Sequence, residues 1–479
     1  MPAHTDPARE PGLPGKLRLA DAAALVLAGM AVFIAIAGGR RYVVFGTVLA
    51  LRSPLLLVYA AASVLIVRHL LWPRPSAIDH LRAVRAALRA RPDAAAALSA
   101  FLATRPAILA IGFLAVVTFG TAAPPGSTLS NDPVANLPAR FDAGWYGDIA
   151  LNGYSWDHTF QRQRNIAFFP ALPLLMRPVG AVFGMHERTA PRDRRMLRGM
   201  WAGVVISLAA FLWALHYVVR LGRPLVGQDA AAHAALLLAA YPFAVFFGAP
   251  YTESLYLLAA VGAFYHFTRG EWAAAGAWGL LLGLTRPNGC LASLPLAILG
   301  VQQLRAAAGP WHATAAGVRL LTAATPVLGM LLFTAYLYNL TGVEFAWARS
   351  HLAWGRAYEG IGPFVRAFDW IRDTPIMEVI ANAPYNTLNG LAVLFGLALT
   401  YPVFRRLGAA WGVFVLLNLV PPLFAGGVLS MGRLTSTLFP LFLVLPLLIP
   451  ARAVPALAAA FGLGQGLCAA LFFTWRELF

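Results

Sequence analysis

Two carboxylates and two aromatic side chains lie close together in the stretch Arg140–Tyr154. Asp142 and Asp148 are six residues apart, with Trp145 and Tyr146 between them. A positioned carboxylate can take a proton from a hydroxyl group. Aromatic rings beside it offer a flat apolar surface with a polar edge, against which a sugar can lie. The stretch therefore has the parts to hold a sugar and to remove a proton from it.

Of the two acids, Asp142 is the better candidate for a general base. Phe141 and Trp145 flank it and withdraw it partly from water, and in a short helix it shares a face with Tyr146 at i, i+4. Asp148 could bind a sugar hydroxyl or, with Asp142, a divalent cation such as Mg²⁺ or Mn²⁺. Two acids alone are a weak indication of a metal site, because substrate phosphate completes sites of this type. A structural alternative is that Asp142 caps the short helix.

A second polar motif, Tyr251-Thr-Glu-Ser254, follows an apolar segment that ends in aromatic residues. Glu253 and Tyr251 could point into a site on the outer face of a membrane. The alternative is a simple helix start, in which Thr252 or Ser254 caps the helix and the helix dipole favours Glu253.

Two arginines interrupt apolar regions next to helix-breaking residues. Arg286 stands in Arg286-Pro-Asn-Gly289, and Arg433 stands in Met431-Gly-Arg433. Arginine this close to hydrocarbon is costly unless it pairs with an anion. Its planar guanidinium makes bidentate contacts with phosphate oxygens, so a phosphate is the predicted ligand. The alternative is that each side chain extends to lipid headgroups.

The composition is that of a polytopic membrane protein. The 479 residues are 59% hydrophobic and 12% charged, with a mean hydropathy of +0.67. Apolar runs of about 18 or more residues recur along the whole chain. The net charge of +17 comes mainly from basic residues in short loops beside these runs. This pattern is typical of membrane topology and of contact with anionic membrane lipids, and it does not indicate a nucleic-acid partner.

The apolar runs predict an all-α protein with about 13 transmembrane helices. The predicted spans are 20–38, 42–70, 106–122, 199–219, 230–248, 252–268, 272–285, 289–304, 319–339, 386–403, 408–425, 435–450 and 453–473. The predicted segments, in chain order, are a cytoplasmic tail (1–18), a two-span extension ending in the basic amphipathic segment Arg74–Arg105 on the cytoplasmic surface (19–105), a core with large outer loops at 123–198 and 340–385 (106–450), and a C-terminal span (451–479).

The bias of Lys and Arg places the N-terminus in the cytoplasm and collects the polar motifs on the outer face. One segment leaves an alternative open. Residues 166–185 are apolar enough to cross, and a crossing there would put Asp142 and Arg433 on opposite faces. Three prolines and Arg177 favour instead a short helix half-buried in the outer interface.

Four polar motifs follow one another along the chain. They are Arg140-Phe-Asp-Ala-Gly-Trp-Tyr146 with Asn152-Gly-Tyr154, then Asn165-Ile-Ala-Phe-Phe-Pro-Ala-Leu-Pro173, then Pro250-Tyr-Thr-Glu-Ser254, and then Thr285-Arg-Pro-Asn-Gly289. In order and spacing they resemble the second GPI mannosyltransferase (PIG-V-like) family and its bacterial relatives. The resemblance covers residues 105–305 well. It is thinner to residue 450, where Gly432-Arg433 and Phe439-Pro440 look like a late motif of that family.

The resemblance implies a GT-C-type fold with interfacial helices in the first large outer loop. It implies an enzyme of the cell (inner) membrane that moves a sugar, by default mannose, from a polyprenyl phosphate to a lipid or glycan acceptor on the extracytoplasmic face. Asp142 would be the catalytic base of an inverting displacement. The residues expected to bind donor or acceptor are Arg140, Trp145, Tyr146, Asp148, Tyr251, Glu253, Arg286, Asn288 and Arg433.

A transporter or flippase for lipids or saccharides is the alternative from another class. Many spans, inner arginines and aromatic belts would suit it as well. Proton- and cation-coupled transporters, however, usually need a carboxylate within the membrane. All 20 Asp and Glu residues of this chain fit at loops or span ends. The sequence therefore favours the transferase.

Overall fold

A computed structural model describes residues 15–37, 40–44, 47–51, 53–73, 76, 79, 82, 86–87, 90–306 and 312–478. The chain forms two compact units, Met1–Pro92 and Asp93–Phe479. The larger unit contains all four motifs.

The described residues of the smaller unit include the two helices Gly15–Ala37 and Pro54–Leu71. Between them the strands Arg40–Val44 and Thr47–Leu51 pair as an antiparallel hairpin. The predicted span 42–70 is therefore too long, because its first ten residues belong mostly to this hairpin. The stretch is rich in β-branched valine, which favours strands.

Seven helices of the described residues are long and apolar enough to cross a membrane, or up to eight if one bent pair counts as a span. The seven are Pro54–Leu71, Pro92–Phe119, Arg192–Val226, Ala313–Thr341, Pro384–Arg406, Ala409–Gly426 and Ala451–Phe473. The bent pair, Gln228–Ala240 and Pro242–Gly248, turns through 81°. The all-α polytopic architecture is thus confirmed.

The predicted count of thirteen spans is not confirmed, because several apolar runs form short or broken helices. Glu253–Thr268, Trp272–Thr285 and Ser293–Ala306 have 16, 14 and 14 residues. At 1.5 Å per residue these reach about 21–24 Å, less than the hydrocarbon thickness of about 30 Å. The predicted span 435–450 is divided among Met431–Thr435, Phe439–Val444 and the 3₁₀ turn Leu445–Leu447.

Glu253–Thr268 is the most enclosed of the described helices with ten or more residues. Fourteen of its residues are buried, from Glu253 to Tyr265 and again at Phe267. A helix that is apolar on every face packs inside a bundle, and this one lies against Arg192–Val226 and Trp272–Thr285. Glu253 therefore begins a helix that is held on all sides.

Part of the predicted basic segment Arg74–Arg105 lies outside the described residues, including Arg74, Arg85 and Arg89. From Pro92 onward the segment is the first turns of the helix Pro92–Phe119. Arg105 is buried rather than on the surface. Its Nη1 donates to the Ala244 carbonyl at 2.6 Å and its Nη2 to the Ala239 carbonyl at 2.8 Å. It thus binds one carbonyl on each side of the 81° bend.

The predicted first outer loop, residues 123–198, contains two short helices, Ala143–Asn152 and Ala171–Val182. Ala171–Val182 has 12 residues and reaches about 18 Å, too short to cross a membrane. The remaining described helices are Ala346–Ser350, Gly362–Asp373 and Ile376–Asn382, and the remaining 3₁₀ turns are Asn165–Ala167, Pro287–Ala292, His351–Trp354 and Ala451–Ala453.

Candidate active site

Asp142 immediately precedes the helix Ala143–Asn152, and Tyr251 fixes its backbone. The Tyr251 hydroxyl accepts from the Asp142 N–H at 3.0 Å and donates to the Arg140 carbonyl at 3.1 Å. The preceding residue, Phe141, has a φ of 44°, which is unusual for a residue with a side chain. The Asp142 side chain makes no capping hydrogen bond with the helix. The structural alternative of a cap is therefore not what the structure shows, and the carboxylate turns elsewhere.

The partner of Asp142 is Arg433. Its Nη1 lies 2.8 Å from Asp142 Oδ2, and both side chains are largely buried, with 8% of Arg433 and 19% of Asp142 exposed. The short helix that carries Arg433 sits closely against Phe243. A Cβ on Gly432 would lie 2.2 Å from the Phe243 ring, so glycine is required there. The Gly432 N–H also donates to Asn389 Oδ1 at 2.8 Å.

Glu253 binds the side chains of two arginines. Its Oε1 accepts from Arg433 Nε and from Arg286 Nη1, the latter at 3.0 Å. The carboxylate is fully buried, and its Oε2 has no hydrogen-bond partner among the described residues. Neither Thr252 nor Ser254 caps the helix, because Thr252 makes no side-chain cap bond and Ser254 Oγ donates to a carbonyl of the preceding turn. Glu253 thus begins the helix without a side-chain cap from Thr252 or Ser254, and its role in a site stays a prediction.

Arg286 owes its place to the residues that follow it. A residue before proline is disfavoured in the helical conformation, and Arg286 is extended, with φ −158° and ψ 156°. The helix Trp272–Thr285 therefore ends there. A Cβ on Gly289 would lie 2.1 Å from the Leu282 carbonyl oxygen, so the break folds back tightly on the helix end. This turn brings the Arg286 guanidinium to Glu253.

Asp142, Arg433, Glu253 and Arg286 thus form one continuous ion-paired cluster. Residues in direct contact lie on the same side of a membrane. The alternative in which a crossing at 166–185 separates Asp142 from Arg433 is therefore excluded, in agreement with the shortness of Ala171–Val182.

Two of the predicted aromatic residues lie beside the cluster. The Tyr146 hydroxyl lies 3.4 Å from Thr252 Oγ1, next to Glu253. Burial raises the pKa of Tyr146 to about 12, which keeps the hydroxyl neutral and able to donate. Trp145 is half-buried and stacks on Phe168 with ring centroids 5.8 Å apart.

Two other predicted binding residues make internal bonds. Arg140 is buried and donates to backbone carbonyls, including that of Phe473 at 2.6 Å, and so ties the outer loop to the C-terminal helix. Asn288 donates to Asn418 Oδ1 at 2.7 Å. The structure does not bring either side chain into the ion-paired cluster.

Asp148 belongs to a separate network. Its Oδ1 accepts from Asn152 Nδ2 at 2.8 Å and from Arg192 Nη2 at 3.0 Å, and its Oδ2 accepts from Asn165 Nδ2 at 3.2 Å. Both carboxylate oxygens are therefore engaged. No group of three or more His, Cys, Asp or Glu side chains that could hold a metal ion occurs in the part of the chain that the structure describes. These contacts do not bring Asp148 to Asp142, the two acids of the possible Mg²⁺ or Mn²⁺ site.

Two site residues carry no signal in the sequence. His351 and Arg356 lie in the predicted second large outer loop, which has no recognisable motif, yet both interact electrostatically with Asp142 and Arg286. Burial is the main cause that lowers the pKa of His351, with a further contribution from Arg356. The His351 Nδ1 lies 2.7 Å from the Trp347 carbonyl and donates to it, so a neutral ring keeps its Nε2 as an acceptor.

Comparison with known proteins gives one family match. Residues 127–340 match the family described as mannosyltransferase (PIG-V). No curated protein matches the chain.

Among solved structures, the chain is similar to the oligosaccharyltransferase of Archaeoglobus fulgidus, crystallised in complex with Zn and sulfate. The two are 14% identical, the TM-score is 0.40, and the match covers 77% of this chain and 53% of that one. The archaeal oligosaccharyltransferase AglB of the same organism, in complex with an inhibitory peptide and a dolichol-phosphate, is 13% identical with a TM-score of 0.33, covering 78% and 56%. The chain spans about half the length of these structures, and at such scores the likeness carries no inference about its chemistry.

The family match covers the four motifs and reaches beyond them on both sides, from before Asp142 to the helix Ala313–Thr341. Over residues 127–340 the chain therefore has the sequence pattern of the mannosyltransferase (PIG-V) family, and the resemblance drawn from its motifs is confirmed.

Proposed function

We propose that the protein is a membrane glycosyltransferase that transfers a sugar from a polyprenyl-phosphate donor to a lipid or glycan acceptor. Mannose is the proposed sugar, because residues 127–340 match a mannosyltransferase family. The observation that carries the proposal is the ion pair between Asp142 and Arg433, which joins residues 291 positions apart. It sets a candidate base beside a candidate phosphate ligand.

In the proposed reaction the acceptor hydroxyl oxygen attacks the anomeric carbon from the side opposite the phosphate. Its proton passes to Asp142, whose Oδ1 accepts no hydrogen bond from the described residues. The bond between the anomeric carbon and the phosphate oxygen breaks, and the electron pair leaves with the polyprenyl phosphate. Configuration at the anomeric carbon is inverted, and the charged leaving group needs no general acid.

Arg433 and Arg286 are the proposed ligands of the leaving phosphate. Glu253 positions both, because one of its oxygens accepts from each guanidinium. A donor phosphate that takes over Nη1 of Arg433 would release Asp142 Oδ2 from its ion pair. Donor binding would then free the base for the acceptor proton.

We place this site on the extracytoplasmic face of the cell (inner) membrane. The support is the distribution of basic residues, which are frequent in the loops opposite the site, including Arg220, Arg223, Arg405 and Arg406. Cysteine labelling from outside intact cells at an exposed residue of the loop 340–385, such as Tyr358, tests this orientation. Protection of that cysteine in intact cells, with labelling after lysis, would reverse the assignment.

The activity is tested with the purified full-length chain in detergent and a set of polyprenyl-phosphate sugars that includes mannose, glucose and arabinose. Release of free polyprenyl phosphate together with a new glycosidic bond is the expected result with at least the mannose donor. Binding of the donors without release would favour the transporter or flippase. A donor preference for another sugar would retain the transferase and correct the substrate.

A further inference from the structure

The segment 346–361 of the predicted second large outer loop packs against the first outer loop and against the chain that leads to Arg433. On one side the Trp354 ring contacts Trp145 and Phe168, with centroids 5.9 and 5.6 Å apart. On the other side the Glu359 N–H donates to the Phe424 carbonyl at 3.2 Å. The segment therefore bridges the first outer loop and the chain that leads to Arg433.

Arg356 lies between the two attachments. Its Nη2 donates to the Leu429 carbonyl at 3.3 Å, four residues before Arg433. A Cβ on Gly426 would lie 3.4 Å from its Nη1, so the guanidinium also rests on the chain preceding Arg433. Among the described residues it makes no ion pair with a carboxylate, although it is half-buried. Burial, with the neighbouring charges of Arg433 and Arg286, lowers its pKa to about 10.

Among the described residues, three guanidinium groups and two carboxylates belong to this part of the molecule. Asp142 and Glu253 supply two negative charges, and both are engaged by Arg433 and Arg286. Arg356 adds a third guanidinium that interacts electrostatically with both arginines and with Asp142. A half-buried guanidinium with one long hydrogen bond is costly unless an anion pairs with it. Arg356 is therefore the guanidinium of this group that lacks a carboxylate partner among the described residues.

We propose that Arg356 binds the phosphate of the lipid-linked donor as a third arginine and pairs most strongly with the polyprenyl phosphate that leaves. This inference rests on the proposed function. The donor phosphodiester carries one negative charge, whereas a phosphate monoester carries about 1.5 to 2 at neutral pH. The additional charge develops as the bond to the sugar breaks. A cation that binds the developing charge more tightly than the starting charge lowers the barrier of the step.

The test uses the full-length chain in neutral detergent and measures dissociation constants by calorimetry for three probes: farnesyl phosphate, farnesol and phosphatidylglycerol. The wild type is expected to bind farnesyl phosphate more tightly than farnesol. Arg356→Gln removes the guanidinium and is expected to weaken farnesyl phosphate binding about ten-fold, which corresponds to one charge-assisted hydrogen bond. Arg356→Lys keeps the charge, and its dissociation constant for farnesyl phosphate is expected to lie between those of the wild type and Arg356→Gln.

The matched control is Arg349→Gln, which removes an exposed arginine of the same outer loop and is expected to leave all three constants unchanged. Unaltered farnesol binding by Arg356→Gln shows that the variant is folded. Equal binding of farnesyl phosphate by Arg356→Gln and wild type would overturn the inference and leave the proposed function standing. Tight binding of phosphatidylglycerol that is lost in Arg356→Gln would assign Arg356 to membrane headgroups and also overturn it. Failure of the wild type itself to prefer farnesyl phosphate over farnesol would overturn both proposals.

Discussion

Asp142 and Asp148 are six residues apart at the same short helix, and they belong to different networks. The partner of Asp142 is Arg433, 291 positions later, and through it Glu253. The partners of Asp148 are Asn152, Asn165 and Arg192, at most 44 positions away. Arg433 is 8% exposed, whereas Arg192 is 61% exposed.

This difference favours a chemical role for Asp142 and a local structural role for Asp148. An ion pair withdrawn from water is strong and sensitive to the loss of one partner, whereas an exposed pair contributes little. Through Arg433, Asp142 connects the first outer loop with Glu253 and Arg286. Its Oδ1 accepts no hydrogen bond from the described residues. Asp148 has both oxygens occupied within its own loop and the next helix start. We therefore expect substitutions at the two acids to have very different effects.

The largest effect is expected from Asp142→Asn. The amide keeps the size of the carboxylate and can still accept from Arg433, but it cannot take a proton from the acceptor. Loss of a general base reduces rates by about 10²–10⁴-fold. The measurement is the initial rate of polyprenyl phosphate release with the mannose donor, alongside the thermal midpoint of the same preparation. Near-normal transfer by Asp142→Asn would refute the assignment of the base.

Arg433→Gln should affect stability as well as transfer. It removes the shared partner of Asp142 and Glu253, of which Glu253 is fully buried. Breaking a buried pair costs about 3–5 kcal/mol, and the lower end applies because Arg286 remains on Glu253. Thermal unfolding in detergent measures the change. Arg192→Gln, which breaks the exposed pair of Asp148, is the matched control and should cost about 1 kcal/mol or less. Equal losses for the two variants would remove the distinction between the networks.

The sequence could predict that the polar motifs come together, because the signals that indicate this lie in the residues next to each motif. Arg286 stands before a proline and Arg433 after a glycine, and both interruptions fall in apolar regions where a charge needs a partner. The structure brings these two arginines to Glu253 and Asp142. Their catalytic roles stay predictions.

The number of spans, the position of Arg356 and the partners of Asp148 depend on tertiary contacts that leave no local signal in the sequence. Hydropathy does not distinguish a crossing helix from an apolar helix of 14 to 16 residues enclosed by its neighbours, so the predicted span count is not confirmed around Glu253–Thr268. Arg356 stands in a loop without a motif, and its position depends on contacts with residues 426 and 429. Asn152 lies at i+4 from Asp148 on the same helix, as spacing alone would indicate, but Asn165 and Arg192 come from separate elements, so the full engagement of Asp148 could not be predicted from spacing.

The stability of the protein is expected to depend on pH through His351, at the edge of the ion-paired cluster. Burial lowers the pKa of His351 below its ordinary value of about 6.5, so the folded protein holds the ring neutral. As pH falls below about 6.5 the unfolded chain binds the proton more readily than the folded chain, and stability is lost. The thermal midpoint of the wild type should therefore fall from pH 7.5 to pH 5.5, and His351→Gln should fall less. His158→Gln, at an exposed histidine of the first outer loop, should follow the wild type. An equal fall in His351→Gln would assign the acid sensitivity to other groups.

The smallest effect is expected from Asp148→Asn. The amide oxygen can still accept from Arg192 or Asn152, and an exposed ion pair contributes about 1 kcal/mol or less. The initial rate of transfer should stay within about three-fold of the wild type, since the substitution removes no group of the ion-paired cluster. The same rate assay with and without added Mg²⁺ gives the decisive comparison. A loss as large as that of Asp142→Asn, or a Mg²⁺ dependence that Asp148→Asn abolishes, would mean that Asp148 leaves Arg192 and Asn165 when substrate binds, and that both acids act on the donor.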